Sequence, residues 1–276
     1  MPDCLHDPGI SHARGSGNRM SKPGLDFSGQ NVLVTGASRG VGRAIAQAFA
    51  SHGAGVVVHY GSRRAAAEET LAGLPDGPHH LACADLRDPP AVQKMVADVE
   101  QSVGRLDVLV NNAGVYEEHL VASASYEAWQ AAWRRTLETN LLGPANLSFC
   151  VAQHMRQHGG GRIVNVSSRG AFRGEPAAPA YGASKAGLNA MGQSLAKALG
   201  GEGIYVFTVA PGFIETDMAA EMLAGPRGDF IRGESPLERV ARPEEVAWTV
   251  LLLAAPGSEF MTGCIVDVNG ASYLRS

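Results

Sequence analysis

The chain predicts an α/β fold, a doubly wound, seven-stranded parallel sheet with helices on both faces. Three observations predict it. Short β-branched runs alternate with longer stretches of helical period, the mark of βαβ units. The first such run passes directly into a glycine-rich turn, Thr35 to Gly42, and then into an alanine-rich helix. The 276 residues are 45% hydrophobic and 18% charged, enough apolar material for one large core.

In chain order, residues 1–28 come first. They are rich in Gly, Pro, Ser and His and lack either hydrophobic period, so a flexible N-terminal extension is expected, with Met20 as an alternative start of translation. The strands are then expected at Asn31–Thr35 (NVLVT), Gly55–His59 (GVVVH), His79–Cys83, Asp107–Val110 (DVLV), Arg162–Val166 (RIVNV), Ile204–Val209 (IYVFTV) and Cys264–Val268 (CIVDV). Between them the helical period is carried by Gly42–His52, Ala65–Leu74, Pro89–Val103, Tyr126–Gln157, Tyr181–Leu199, a shorter stretch around Thr216–Leu223, and Pro243–Ala255. Seven strands with their helices leave no linker for a second domain, so residues 29–276 are expected to form one domain, and no period of 20 to 50 residues marks a repeat array.

Composition narrows the function. The 34 glycines are about 12% of the chain against roughly 7% in an average protein, and without a G-X-Y period they belong to particular turns. A formal charge of −4 without long like-charged runs gives no footprint for nucleic acid or an anionic membrane. The most apolar segment, Val246 to Ala255, is far shorter than the roughly 20 residues a bilayer requires. Cys4, Cys83, Cys150 and Cys264 have no CxxC spacing and read as buried free thiols, not bridges or metal ligands. A cytoplasmic protein with a small-molecule ligand and no metal is expected.

The turn after the first strand reads Thr35-Gly36-Ala37-Ser38-Arg39-Gly40-Val41-Gly42. Gly36 permits the tight bend, Gly40 lets backbone amides approach a pyrophosphate, and Gly42 lets the helix pack close to the strand. The spacing is GxxxGxG instead of GxGxxG. A carboxylate for the ribose hydroxyls of NAD is expected about 20 residues on, and none is there. Between Asp26 and Glu68 the chain has no acid, while Arg39, Arg43, Arg63 and Arg64 fall in that window. The second strand ends His59-Tyr60-Gly61-Ser62-Arg63, so hydroxyls and guanidinium groups stand where a 2′-phosphate would sit. NADP(H) is therefore favoured over NAD(H); the alternative is that Arg63 and Arg64 merely begin a solvated helix.

Tyr181-Gly182-Ala183-Ser184-Lys185 places a phenol and an ammonium at i and i+4 on one helix face, where the ammonium is expected to draw the phenol pKa down. Only four of the 23 basic residues are lysines, Lys22, Lys94, Lys185 and Lys197, so a lysine here is notable. Ser167 and Ser168 end the fifth strand, and Asn111-Asn112-Ala113-Gly114 ends the fourth, both at the carboxyl edge where open parallel sheets bind ligands.

On these motifs, from Thr35 to about Gly270, the chain resembles the compact branch of the short-chain dehydrogenase/reductase family, whose fold is of Rossmann type, and among its members the 3-oxoacyl-thioester reductases. It has the TGxxxGxG turn, Asp85 after the third strand, NNAG at Asn111 to Gly114, Asn140 in the central helix, Ser168, YxxxK, and Pro211-Gly212 with Thr216 following. The resemblance implies four catalytic residues. Tyr181 would be the general acid or base, Ser168 would hydrogen-bond the substrate oxygen, Lys185 would lower the phenol pKa and hold the nicotinamide ribose, and Asn140 would hold a relay water. The thirteen-residue interval to Tyr181 selects Ser168, although a shifted strand end would exchange it with Ser167. The resemblance further implies that Asp85 and Leu86 meet the adenine side, and that Asn112, Ala113 and Gly114 line the adenosine ribose side. Pro211, Gly212, Ile214 and Thr216 would bound the nicotinamide, while Gly36, Ser38, Arg39, Gly40, Val41, Gly42, Tyr60, Ser62 and Arg63 take the phosphates and the 2′-phosphate.

The stretches Val115 to Glu117 and Arg169 to Pro176 would border the substrate, and residues 215–239, with Gly225-Pro226 and Gly228, would form a mobile lid. Arg169, Phe172 and Arg173 suit an acyl chain or an acidic group, or are simply exposed. The leading expectation is reduction of a ketone by NADPH. The same residues permit oxidation of a sugar, sterol or other secondary alcohol, and a non-catalytic cofactor sensor would be expected to lack Tyr181 or Lys185. A homotetramer, paired through Tyr126–Gln157, Tyr181–Leu199 and the C-terminal strand region, follows from the resemblance.

Overall fold

A computed structural model describes residues 25–275. Met20, Cys4 and residues 1–24 of the expected extension lie outside the described residues. Leu25 to Ser28, also assigned to that extension, belong to the fold: Phe27 is fully buried, its amide donates to His52 O at 2.8 Å, and its ring meets Phe49 edge-on at 4.9 Å. An isolated aromatic in a polar tail carries too little pattern to be read as core.

Among the described residues there are seven strands: β1 (Asn31–Val34), β2 (Gly55–Tyr60), β3 (His80–Cys83), β4 (Val108–Asn111), β5 (Gly161–Val166), β6 (Ile204–Pro211) and β7 (Ile265–Val268). They form one sheet in the order β3-β2-β1-β4-β5-β6-β7, and every adjacent pair is parallel. Among the described residues there are ten α-helices: α1 (Gly40–Ser51), α2 (Arg64–Ala72), α3 (Pro89–Val103), α4 (Tyr126–Leu137), α5 (Gly143–Gln157), α6 (Gly170–Arg173), α7 (Pro179–Leu199), α8 (Asp217–Ala224), α9 (Gly228–Gly233) and α10 (Pro243–Ala254).

Alternation along the strands divides the core in two. Val32 and Val34 of β1, Val56 and Val58 of β2 and Phe207 and Val209 of β6 face Ile45 and Phe49 of α1 and Val246 and Val250 of α10. Leu33, Val57, Leu109, Ile163 and Val206 face the other way, onto Val92 and Val96 of α3 and Leu147, Val151 and Met155 of α5. Burial on both faces explains why the strands read as continuous apolar runs.

Two expected elements differ. The long helix Tyr126–Gln157 is split by a π-helical turn over Glu138–Leu142, with α4 before it and α5 after it. The extra residue in that turn lies where the helix passes the β3–α3 loop; at Gly143 an added Cβ would come within 2.9 Å of both Leu86 Cβ and Leu86 O. The segment after β6 holds two helices, α8 and α9, in place of one. At Gly228 an added Cβ would collide with the Leu223 carbonyl, so this glycine serves close packing and not lid bending.

Candidate active site

The strand order reverses beside β1, so β2 and β4 diverge on either side and leave a crevice above the carboxyl ends of the strands. A cleft of about 890 Å³ occupies it. Its base is a tightly tied pair of loops. Thr35 Oγ1 donates to Val110 O and accepts from the amides of Asn112 and Ala113 at 2.9 and 3.0 Å, while Asn112 Nδ2 donates to Thr35 O at 2.8 Å. Gly36 has φ +62, and a Cβ there would lie 2.9 Å from Ala113 Cα. At Gly42 a Cβ would strike the Gly36 carbonyl and lie 2.5 Å from Asn112 Nδ2. The glycine turn is thus pressed against NNAG, and Gly36, Ser38, Arg39, Gly40, Val41 and Gly42 all line the cleft, as do Asn112, Ala113 and Gly114.

The four arginines of the acid-free window separate cleanly. Arg43 donates to Thr70 Oγ1 and Ser38 O at 2.9 and 2.8 Å, and Arg64 pairs with Glu68 at 2.8 Å. Arg39 and Arg63 line the cleft, and among the described residues neither pairs with a carboxylate. Ser62 lines it too, but Tyr60 does not: it is buried with Val56 and Val58 on the opposite face of β2. Tyr60 is therefore removed from the wall by the two-residue strand period, which aims His59 at the cleft in its place. Asp85 and Leu86 border the cleft, and the Asp85 carboxylate is already held in a fork by Arg87, whose Nη2 is 2.6 Å from Oδ2. That contact holds the Asp85 carboxyl below its usual range.

His59 is a residue that sequence reasoning passed over. Its Nδ1 accepts from the Gly36 amide at 3.2 Å and its Nε2 lies 3.1 Å from Ala84 O, so the ring is the neutral Nε2–H form bridging the glycine turn to the loop after β3. Burial pushes its pKa down from 6.5 to about 4. A depressed histidine contributes stability that is present above the unfolded value and is lost as pH falls toward the folded one, here between 6.5 and about 4. The gap is worth about 3 kcal/mol. Urea unfolding across this window should show that loss in the wild type and a shallower slope in His59→Gln.

Ser168, Tyr181 and Lys185 line the cleft together with Pro211, Gly212, Ile214 and Thr216, the end of β6 running beside Ser168, where the Arg169 amide donates to Pro211 O at 2.8 Å. Both strand-end serines line the cleft, but Ser167 is buried and its hydroxyl is committed to Lys185 O at 3.2 Å. Ser168 Oγ accepts from the Gly170 amide at 3.0 Å and stands beside the Tyr181 phenol, where it favours the ionised form. Lys185 Nζ donates to Val166 O at 2.8 Å and stands 5.8 Å from the Tyr181 ring centre. Burial dominates both groups: it pushes the phenol up to about 12 and the ammonium down to about 8. The expected lowering of the phenol is therefore absent from the protein alone, and at neutral pH Tyr181 is a protonated donor. Tyr116 meets its ring edge-on at 5.2 Å.

Asn140 is fully buried inside the π-turn and does not line the cleft. Its amide pairs with Val115 in both directions, Oδ1 accepting at 2.8 Å and Nδ2 donating at 3.0 Å, and Nδ2 also reaches Ser184 Oγ at 3.1 Å. It braces the loop after NNAG against the helix that carries Tyr181. Beside Gly114, Asn140 Oδ1 and Lys185 Nζ approach the same point, 3.3 and 3.5 Å from where a Cβ would stand.

The region read as a substrate border is organised by charge. Arg169 is almost fully buried and its Nη2 lies 2.5 Å from Glu234 Oε2; Arg173 Nη1 reaches Glu234 Oε1 at 2.8 Å. Arg169 is therefore committed to the protein rather than to a ligand, and the segment expected to be a mobile lid is fastened at the end of α9. Cys83, expected to be buried, is exposed, and Cys150 and Cys264 are half-buried; all three are free thiols. Among the described residues no helix is long and apolar enough to cross a membrane.

Comparison with known proteins agrees with this geometry. Residues 36–271 match the family described as enoyl-(acyl carrier protein) reductase. The chain is 37% identical over 251 residues to a 3-oxoacyl-(acyl-carrier-protein) reductase of Synechocystis sp., covering 90% of this chain and 98% of that protein. It is 37% identical over 255 residues to that of Thermotoga maritima (91% and 100%), and 33% over 250 residues to that of Escherichia coli (91% and 100%). With the turn, the strand-end serine and the Tyr181–Lys185 pair on one cleft, the chain belongs to the short-chain dehydrogenase/reductase family of oxidoreductases.

Proposed function

We propose that the protein reduces the ketone of a 3-oxoacyl thioester to a secondary alcohol with NADPH. The convergence of Ser168, Tyr181 and Lys185 on a cleft whose far end presents Arg39 and Arg63 carries this reading, and the names of the relatives supply the thioester. The residues present fit the cofactor: Gly36 and Gly42 let the turn close against NNAG along the cleft with no side chain in the way, and two arginines without carboxylate partners suit a 2′-phosphate. When bound, NADPH supplies the hydride that reaches the carbonyl carbon.

The chain's own groups manage the oxygen. Ser168 and Tyr181 donate hydrogen bonds to it, and as charge develops the phenol passes its proton across, so that ketone, hydride and proton become the alcohol. Lys185 returns the proton to Tyr181, and Asn140, adjacent to Lys185 at Gly114, orders the route from solvent. Asp85, Leu86, Asn112, Ala113 and Gly114 take the adenosine half, and Pro211, Gly212, Ile214 and Thr216 fix the face of the ring.

Residues 29–276, with the buried Phe27 before them, form the catalytic domain in this reading. The free thiols suit the reducing cytoplasm. Exposed apolar side chains on α4 and α5 (Tyr126, Phe149) and around α10 and β7 (Trp248, Leu252, Phe260) support a homotetramer with two kinds of interface. The decisive assay follows NADPH consumption against 3-oxoacyl thioesters, quinones, keto sugars and keto steroids. Thioesters should be reduced with the highest kcat/KM; preference for another class would replace the substrate assignment.

A further inference from the structure

Beyond Ser168 and Tyr181, on the turn from α6 to α7, the cleft wall carries Glu175. Two guanidinium groups and two carboxylates meet there and are shared unequally. Glu234 takes both arginines, Arg169 at 2.5 Å and Arg173 at 2.8 Å. Glu175 is left with Arg173 Nε at 3.8 Å, too long for a hydrogen bond, and among the described residues no group donates to its carboxylate. Its side chain is only 16% exposed. It cannot fold further back toward α6, because Oε1 already fills the space above Gly170 where a Cβ would stand. Burial pushes its pKa up against the pull of the two arginines.

A carboxylate drawn largely out of water without a donor is a costly arrangement. Everything else in the cluster is paired, and the open side of Glu175 is the cleft, between Tyr116, Tyr181 and Arg173. Solvent in the cleft reaches its oxygens, so a substrate that displaces that water has to supply a donor in its place. Resting on the reading of the protein as an NADPH-dependent ketone reductase, we infer that Glu175 is a specificity-determining residue that accepts a hydrogen bond from a hydroxyl or amide N–H carried by the substrate near its ketone. The amide of a thioester's pantetheine-like arm and the hydroxyl of a hydroxyketone share this chemistry.

The test uses the full chain with NADPH and two matched substrate pairs that differ in the donor. One pair is the 3-oxobutanoyl thioester of N-acetylcysteamine against its S-butyl counterpart; the other is 2-hydroxycyclohexanone against 2-methoxycyclohexanone. In the wild type kcat/KM should favour the donor-bearing member of at least one pair by roughly 10-fold or more, as expected for a hydrogen bond to a charged group. Glu175→Leu should bring that ratio close to 1, and Glu175→Gln, which keeps a neutral acceptor, should fall between and carries the test if the leucine variant does not fold. A wild-type ratio near 1 in both pairs, or a ratio indifferent to the substitutions, overturns the inference. Thioesters left untouched while the hydroxyketone pair shows the pattern would refute the thioester assignment and leave Glu175 in place. Thioesters reduced while neither pair depends on Glu175 would do the reverse, and no ketone reduced at all would refute both.

Discussion

Tyr181→Phe should lower kcat by about 10³-fold, within the range by which a positioned acid or base accelerates proton transfer, while NADPH binds nearly as before. The substitution removes one oxygen and keeps the ring, so the edge contact with Tyr116 at 5.2 Å and the packing beside Lys185 survive. What is lost is the single proton donor that faces both Ser168 and the cleft. Single-turnover kinetics and fluorescence titration with NADPH separate the two effects. Activity retained in the variant would remove Tyr181 from the mechanism, and a comparable loss of NADPH affinity would make its role structural.

The second large effect concerns the cofactor. Arg39→Ala combined with Arg63→Ala should raise KM for NADPH by about 100-fold or more, since each charge-assisted bond to a phosphate is worth about 1.5–3 kcal/mol. KM for NADH should change little. Arg64→Ala serves as the control: its guanidinium is spent on Glu68 at 2.8 Å, so neither cofactor should respond. Equal weakening of both cofactors by the double substitution would show that the two arginines do not read the 2′-phosphate.

Local chemistry was legible in the sequence and long-range pairing was not. The sheet is readable because strands buried on both faces are continuous apolar runs, and Gly36, Gly40 and Gly42 because a turn pressed against NNAG tolerates nothing larger at two of those positions. Choosing between Arg39 and Arg43, or between Ser167 and Ser168, needs partners that lie far along the chain, such as Thr70 for Arg43 and the backbone of Lys185 for Ser167. Tyr60 was misjudged by a single position, enough to turn a side chain to the other face of its strand. His59 left no signal because a neutral bridging histidine has no motif. The π-turn at Asn140 keeps an ordinary helical pattern on either side, and only the close approach of Gly143 to Leu86 betrays it. The Arg169–Glu234–Arg173 cluster joins residues 61 or more positions apart, beyond the reach of any spacing argument.

That cluster joins Ser168's immediate neighbour to the end of α9 through a guanidinium that water scarcely reaches. Dissolved salt weakens exposed ion pairs but hardly touches one so enclosed. The loop after Ser168 and the end of α9 are therefore held together by a contact that added salt should not loosen.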